Sequence, residues 1–67
     1  MKILVNGEPF EHNGEPRLGA VLSAYGVAEG TRVAVVVGDA VIPREEHKSR
    51  PIREGDRIEI LVFAGGG

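Results

Sequence analysis

The sequence predicts an α+β domain in which a single helix packs on one β-sheet. Three features support this class: β-branched apolar runs near both ends and in the middle of the chain, one apolar stripe at helical spacing, and turn dipeptides between them. The chain has 67 residues, of which 42% are hydrophobic. This length and composition suit one small domain, which buries only about 60% of the surface of its unfolded chain.

The first two strands are predicted around Asn6-Gly7. An Asn-Gly pair between extended runs is the strongest short-range hairpin signal, because both residues tolerate a positive φ. The run KILVN (residues 2–6) therefore forms the first strand, and residues 8–12 return as the second. Pro9 has no N–H to donate, which favours an edge position for this second strand.

A single helix is predicted within EPRLGAVLSAYG, residues 15–26. Pro16 suits the first helical turn, and Gly26 suits the position after the last turn because glycine adopts left-handed backbone angles without strain. The stripe expected to pack on the sheet recurs at helical spacing: Leu18, Val21, Leu22 and Tyr25.

The second half of the chain predicts three more extended segments. Residues 31–37 (TRVAVVV) form a strand, and residues 40–42 return briefly after a Gly-Asp turn. Residues 43–54 are polar and predict an irregular segment with a short helical turn. Residues 56–64 (DRIEILVFA) form the last strand, so the sheet is expected to have four to five strands.

The last strand presents its side chains alternately to its two faces. The set expected to face the helix is Ile58, Ile60 and Val62. The opposite set includes two apolar residues near the strand end, Leu61 and Phe63. They predict either a surface for a partner or packing beneath the 43–54 segment.

The composition argues against several classes of function. A net charge of −2 and a pI near 5.6 argue against a general nucleic-acid binder. No apolar run approaches the roughly 20 residues of a membrane span, and the start of the chain lacks the apolar region of a signal peptide. A cytoplasmic location without membrane association is therefore expected. The absence of cysteine excludes disulfides, a thiolate nucleophile, a persulfide on the chain and a Cys-based zinc site.

The body of the chain contains no recognisable catalytic constellation. His12 and His47 lie on different segments without a ligand cluster, so each is expected to be a surface or half-buried residue. No glycine-rich stretch matches a phosphate-binding loop. The sequence therefore predicts neither an enzyme nor a metal site.

Three stretches carry a family resemblance: MKILVNGEPFE, RVAVVVGDAVIPRE and IREGDRIEILVFAGGG. Over essentially the whole chain they resemble the ThiS family, the ubiquitin-like sulfur carriers of thiamine biosynthesis. The resemblance implies the β-grasp fold, in which a mixed sheet wraps a single helix. The domain is expected to span residues 1–63, followed by a flexible glycine tail at residues 64–67.

The resemblance also implies chemistry at the C-terminus. A ThiF-like adenylyltransferase, which holds the ATP and Mg²⁺, would adenylylate the α-carboxylate of Gly67. A cysteine desulfurase system would supply sulfur for a thiocarboxylate, which would serve a ThiG-like thiazole synthase. Gly65 and Gly66 are the expected access segment, Leu61 and Phe63 are the expected docking contacts, and no cofactor is expected on the chain itself.

Other small proteins share parts of this pattern. The small subunit of molybdopterin synthase also ends in Gly-Gly, but it tends to be longer and to carry prolines where this chain has LVFA. A ubiquitin-like modifier would use the same activated glycine to form isopeptide bonds, and a plain interaction module would carry an inert tail. The ThiS family usually ends in two glycines, so the third glycine of this chain leaves three interpretations. Gly67 is a working terminus, which is the favoured reading, or it is removed, or it is foreign to the natural chain.

Overall fold

The computed structural model describes residues 1–63. Its elements are β1 (Lys2–Val5), β2 (Glu8–Glu11), α1 (Leu18–Tyr25), β3 (Val33–Val37), β4 (Ala40–Val41), a 3-10 turn (Arg44–Glu46) and β5 (Arg57–Val62). The strands form one sheet in the order β2-β1-β5-β3-β4. β1 and β5 run parallel at its centre, whereas the other neighbours are antiparallel. The predicted mixed sheet with a single helix is confirmed.

The hairpin of β1 and β2 forms at the predicted turn. Asn6 and Gly7 have φ angles of 53° and 83°, the left-handed pair that a two-residue hairpin loop requires. β2, which contains Pro9, lies at the edge of the sheet, as predicted from the missing N–H.

The core lies between α1 and one face of the sheet. Its buried hydrophobic residues are Ile3, Val5, Leu18, Val21, Leu22, Val35, Val37, Ile42, Ile52, Ile58 and Ile60. Both layers contribute, and the segment between β4 and β5 adds Ile42 and Ile52. The core therefore fixes the first part of β5 in the centre of the sheet.

The helix begins at Leu18, so the prediction that Pro16 lies in its first turn was wrong. Arg17, the residue before the helix, is extended with φ −141° and ψ 152°. The backbone N–H of Leu18 donates to the carbonyl oxygen of Arg50 at 2.7 Å, so the 43–54 segment holds this approach in place. At the other end Gly26 adopts φ 105° and closes the helix as predicted.

Two side chains differ from their predicted burial. Tyr25 is 42% exposed instead of buried in the core, because the end of α1 lies over the edge strand, where its ring meets Phe10 edge-on at 5.6 Å. His12, predicted to be a surface or half-buried residue, is buried, and its Nε2–H donates to the carbonyl oxygen of Glu15 at 2.7 Å.

The remaining boundaries differ little from prediction. β3 begins at Val33 instead of Thr31, and the helical turn expected within 43–54 is the 3-10 turn. Among the described residues, no helix has the length and apolar composition needed to cross a membrane.

Candidate functional site

The candidate site is the C-terminal end of β5, from which the chain continues into residues 64–67. Leu61, Val62 and Phe63 are 58%, 57% and 55% exposed, and together they are called the β5 end surface below. The exposure of Leu61 and Phe63 agrees with the outward orientation predicted from strand alternation. It also excludes the alternative in which they pack beneath the 43–54 segment. Their role in docking stays a prediction.

Val62 corrects an expectation about the core. It alternates with Ile58 and Ile60 as predicted, but those two residues are buried whereas Val62 is not. The helix has eight residues, which corresponds to a length of about 12 Å. On β5, the core beneath the helix ends at Ile60. Val62, which pairs with Val33 in the sheet, therefore lies outside the part of the strand that the helix covers.

The base of the β5 end surface is held by hydrogen bonds on both sides of the strand. On the β3 side, the N–H of Phe63 donates to the carbonyl oxygen of Arg32 at 3.0 Å. On the β1 side, the N–H of Ile60 donates to Asn6 Oδ1 at 2.7 Å. The exposed side chains are therefore presented from a fixed strand, which favours recognition of a preorganised surface.

Charge contributes little to this site. Arg57 and Glu59 precede Leu61 on the same face of β5 and carry opposite charges. Among residues 1–63, the group with a shifted pKa is Glu11 on the distant strand β2, where a hydrogen bond from the Met1 α-ammonium lowers the pKa of its carboxyl. No cluster of three or more His, Asp or Glu side chains in this part of the chain could hold a metal ion. The chemistry that the β5 end surface offers is apolar contact.

The predicted site residues fall into two groups. Leu61 and Phe63 are brought together on one exposed strand end. Gly65, Gly66 and Gly67 lie outside the described residues, so the predicted access segment and reacting carboxylate stay predictions.

Sequence reasoning missed two contributors to the site. The exposure of Val62 could have been foreseen by comparing the length of the eight-residue helix with that of the last strand. The bond from Ile60 to Asn6 Oδ1 had no such signal, because Asn6 was fully explained as a turn residue.

Comparison with known families gives a match that covers the site. The model of the ThiS family matches residues 3–67, which includes the β5 end surface and the terminal glycines. In structure, the chain resembles the crystal structure of the thiamine biosynthesis protein ThiS from Geobacter metallireducens. The TM-score is 0.78 at 35% sequence identity, and the match covers 100% of both chains.

Curated relatives include larger proteins. All of this chain matches part of the thiazole synthase of Paramagnetospirillum magneticum at 31% identity and part of the thiazole synthase of Magnetococcus marinus at 37% identity. In each case the matched region is 20% of the relative, so the chain spans about a fifth of the length of these proteins.

Proposed function

Because this chain belongs to the ThiS family, we propose that it is a sulfur carrier of thiamine (thiazole) biosynthesis, with sulfur carried on the α-carboxylate of Gly67. The observation that carries the proposal is the family match, which continues through the terminal glycines. The exposed end of β5 supports it, because an apolar surface there can bind the enzyme that acts on the terminus.

The chemistry suits a chain that has no cysteine. A free α-carboxylate has a pKa of about 3.3–3.7, so at neutral pH it is an anion and a poor electrophile. Transfer of AMP from ATP, with loss of pyrophosphate, turns it into an acyl-adenylate. Sulfide can then attack the acyl carbon and displace AMP, which leaves a thiocarboxylate. Sulfur that arrives as a persulfide first forms an acyl disulfide, and a thiol reductant then releases the thiocarboxylate. The product holds sulfur on the main chain and needs no side-chain thiol.

In this proposal the carrier is a protein co-substrate instead of an enzyme. The ATP and Mg²⁺ belong to a ThiF-like adenylyltransferase, and a cysteine desulfurase system supplies the sulfur. Gly65 and Gly66 lack Cβ atoms, so they can pass through a narrow cleft in the partner. In this proposal Gly67 is the working terminus, and the carrier acts in the cytoplasm.

Thiazole synthase is the proposed acceptor of the sulfur. The relatives named thiazole synthase contain, within one polypeptide, a region similar to the whole of this chain. Such an arrangement favours direct transfer between the carrier and the synthase, because covalent linkage raises the effective concentration of one for the other.

The test is the intact mass of the purified chain after incubation with the ThiF-like adenylyltransferase of the same organism, ATP, Mg²⁺ and a sulfur source. The expected change is the exchange of one oxygen for sulfur, located in the C-terminal peptide. A chain that lacks Gly66 and Gly67 is the control and is expected to keep its mass.

Two results would contradict the proposal. One is an unchanged mass for the folded parent chain in the presence of an active adenylyltransferase. The other is preferential adenylylation by the activating enzyme of the molybdopterin pathway, which would assign the chain to that pathway.

A further inference from the structure

The backbone of β5 bonds to its two neighbours alternately. The N–H of Phe63 donates to Arg32 at 3.0 Å, and the carbonyl of Arg57 accepts from Gly38 at 2.8 Å, so odd-numbered residues bond towards β3. The even-numbered residues 58, 60 and 62 therefore direct their N–H and carbonyl groups to the opposite side, towards β1.

On the β1 side, the neighbouring strand ends before β5 does. The carbonyl of Ile58 accepts from the N–H of Asn6 at 2.8 Å, and the N–H of Ile60 donates to Asn6 Oδ1. The chain then turns away at Asn6-Gly7 into β2. Past this point, the carbonyl of Ile60 and both backbone groups of Val62 have no hydrogen-bond partner within residues 1–63.

These backbone groups form a short open edge in the middle of the sheet, called the 60–62 edge below. Its surroundings are apolar on both faces, with Leu61 and Phe63 on the outer face and Val62 on the helix face. An exposed apolar edge is a template for pairing with another strand.

A partner that covers the apolar side chains must also satisfy the polar edge between them. Covering the Ile60 carbonyl and the Val62 N–H with apolar atoms alone would remove these groups from water and leave them unpaired, which is unfavourable. An extended strand avoids this cost, because its own N–H and carbonyl groups bond to the edge while its side chains contact both faces.

The position of the edge identifies the partner. Residues 64–67 continue directly from it, and four residues reach at most about 13–14 Å when extended. Any enzyme that acts on the Gly67 carboxylate therefore comes close to the 60–62 edge. We propose that the adenylyltransferase adds an extended strand with apolar side chains to this edge, so that pairing holds the last residues of the carrier in line with the active site. This rests on the proposed function.

Proline substitution tests the edge, because it removes a single N–H. Val62→Pro deletes a donor that has no partner within residues 1–63 and keeps an apolar side chain in an extended strand. Val41→Pro is the matched control. Val41 lies on the edge strand β4, and the N–H of the next residue, Ile42, is the one that bonds to Val35. The N–H of Val41 therefore also has no partner among the described residues, but it lies on the far side of β3 from the 60–62 edge.

The measured quantities are kcat and KM for adenylylation, with the carrier as the varied substrate. Val62→Pro is expected to raise KM by up to about tenfold, the order of magnitude of losing one backbone hydrogen bond, with a smaller change in kcat. Val41→Pro is expected to change KM by no more than about twofold. An equal KM for the two variants would overturn the strand-pairing proposal.

If a proline variant fails to fold, amide hydrogen exchange of the unaltered chain tests the same strand pairing. The Val62 amide is expected to exchange rapidly in the free carrier and slowly in the complex with the adenylyltransferase. Rapid exchange in both states would overturn the proposal. Concentration-dependent protection of this amide in the isolated chain would also overturn it, because a second copy would then occupy the edge.

A parent chain that is not adenylylated at all contradicts the proposed function itself, so failure of the proposed function and failure of the strand-pairing proposal are distinct results.

Discussion

The two halves of β5, residues 57–60 and residues 61–63 with Phe63 just after the strand, both contribute apolar side chains, but these side chains lie in opposite environments. Ile58 and Ile60, in the first half, are 1% and 6% exposed, whereas Leu61, Val62 and Phe63 are more than half exposed. The first half lies beneath α1 and beside β1, and the second half extends past both. The same kind of residue therefore stabilises the fold in one half and remains available to a partner in the other. The predictions below test this contrast, ordered by their expected effect on the free energy of unfolding.

The largest effect is expected for Ile58→Ala. Removing a buried side chain of this size costs about 2–5 kcal/mol, and a domain of this length has a total stability on the order of 3–10 kcal/mol. Val62→Ala in the exposed half is the matched change and is expected to cost less than about 0.5 kcal/mol. Urea denaturation of both variants measures the difference, and similar losses would show that the contrast between the two halves is wrong.

An intermediate effect is expected for Asn6→Ala at the junction of the two halves. This change removes the Oδ1 acceptor for the Ile60 N–H and places alanine at φ 53°, which together cost about 1–2 kcal/mol. Asn6→Gly tolerates the backbone angle but also loses the acceptor, so it separates the two causes. If the glycine variant is as stable as the parent, the bond to Ile60 contributes nothing measurable.

A small effect on stability, with a large effect on binding, is expected for Leu61→Asp and Phe63→Asp. Both side chains are exposed, so the free energy of unfolding should change by less than about 0.5 kcal/mol. A charge placed against an apolar partner surface should raise the KM for adenylylation about tenfold or more. Val41→Asp, on the far side of β3, is the control, and an equal effect at all three positions would contradict a localised docking surface.

The smallest effect on stability is expected for Gly66→Ala. The position follows the domain boundary predicted at residue 63, so the unfolding midpoint should remain close to that of the parent. Adenylylation should be slower, because the added methyl group makes the terminal segment wider and obstructs its passage through a narrow cleft in the partner. The rate of pyrophosphate release reports activation, and equal rates for variant and parent would argue against a narrow cleft.

Much of the fold was determined by the sequence itself, because local rules govern those parts. A two-residue hairpin turn requires left-handed backbone angles, and Asn6-Gly7 is one of the few pairs that adopt them readily, so the position of the first hairpin follows from the sequence. Gly26 ends the helix for the same reason, and the alternation in β5 assigns Leu61 and Phe63 to the outer face. The family resemblance, which reaches the terminal glycines, also lies in the sequence alone.

Other features depend on where separate segments end relative to one another, which only the tertiary structure decides. Val62 has the pattern of a core residue, yet it is exposed because the core beneath α1 stops at Ile60. His12 has the polarity of a surface residue, yet its ring is buried with a bond to the Glu15 carbonyl. The open 60–62 edge exists because β1 turns away while β5 continues. Burial and pairing depend on neighbours that are distant in the chain, and periodicity within one segment carries no information about them.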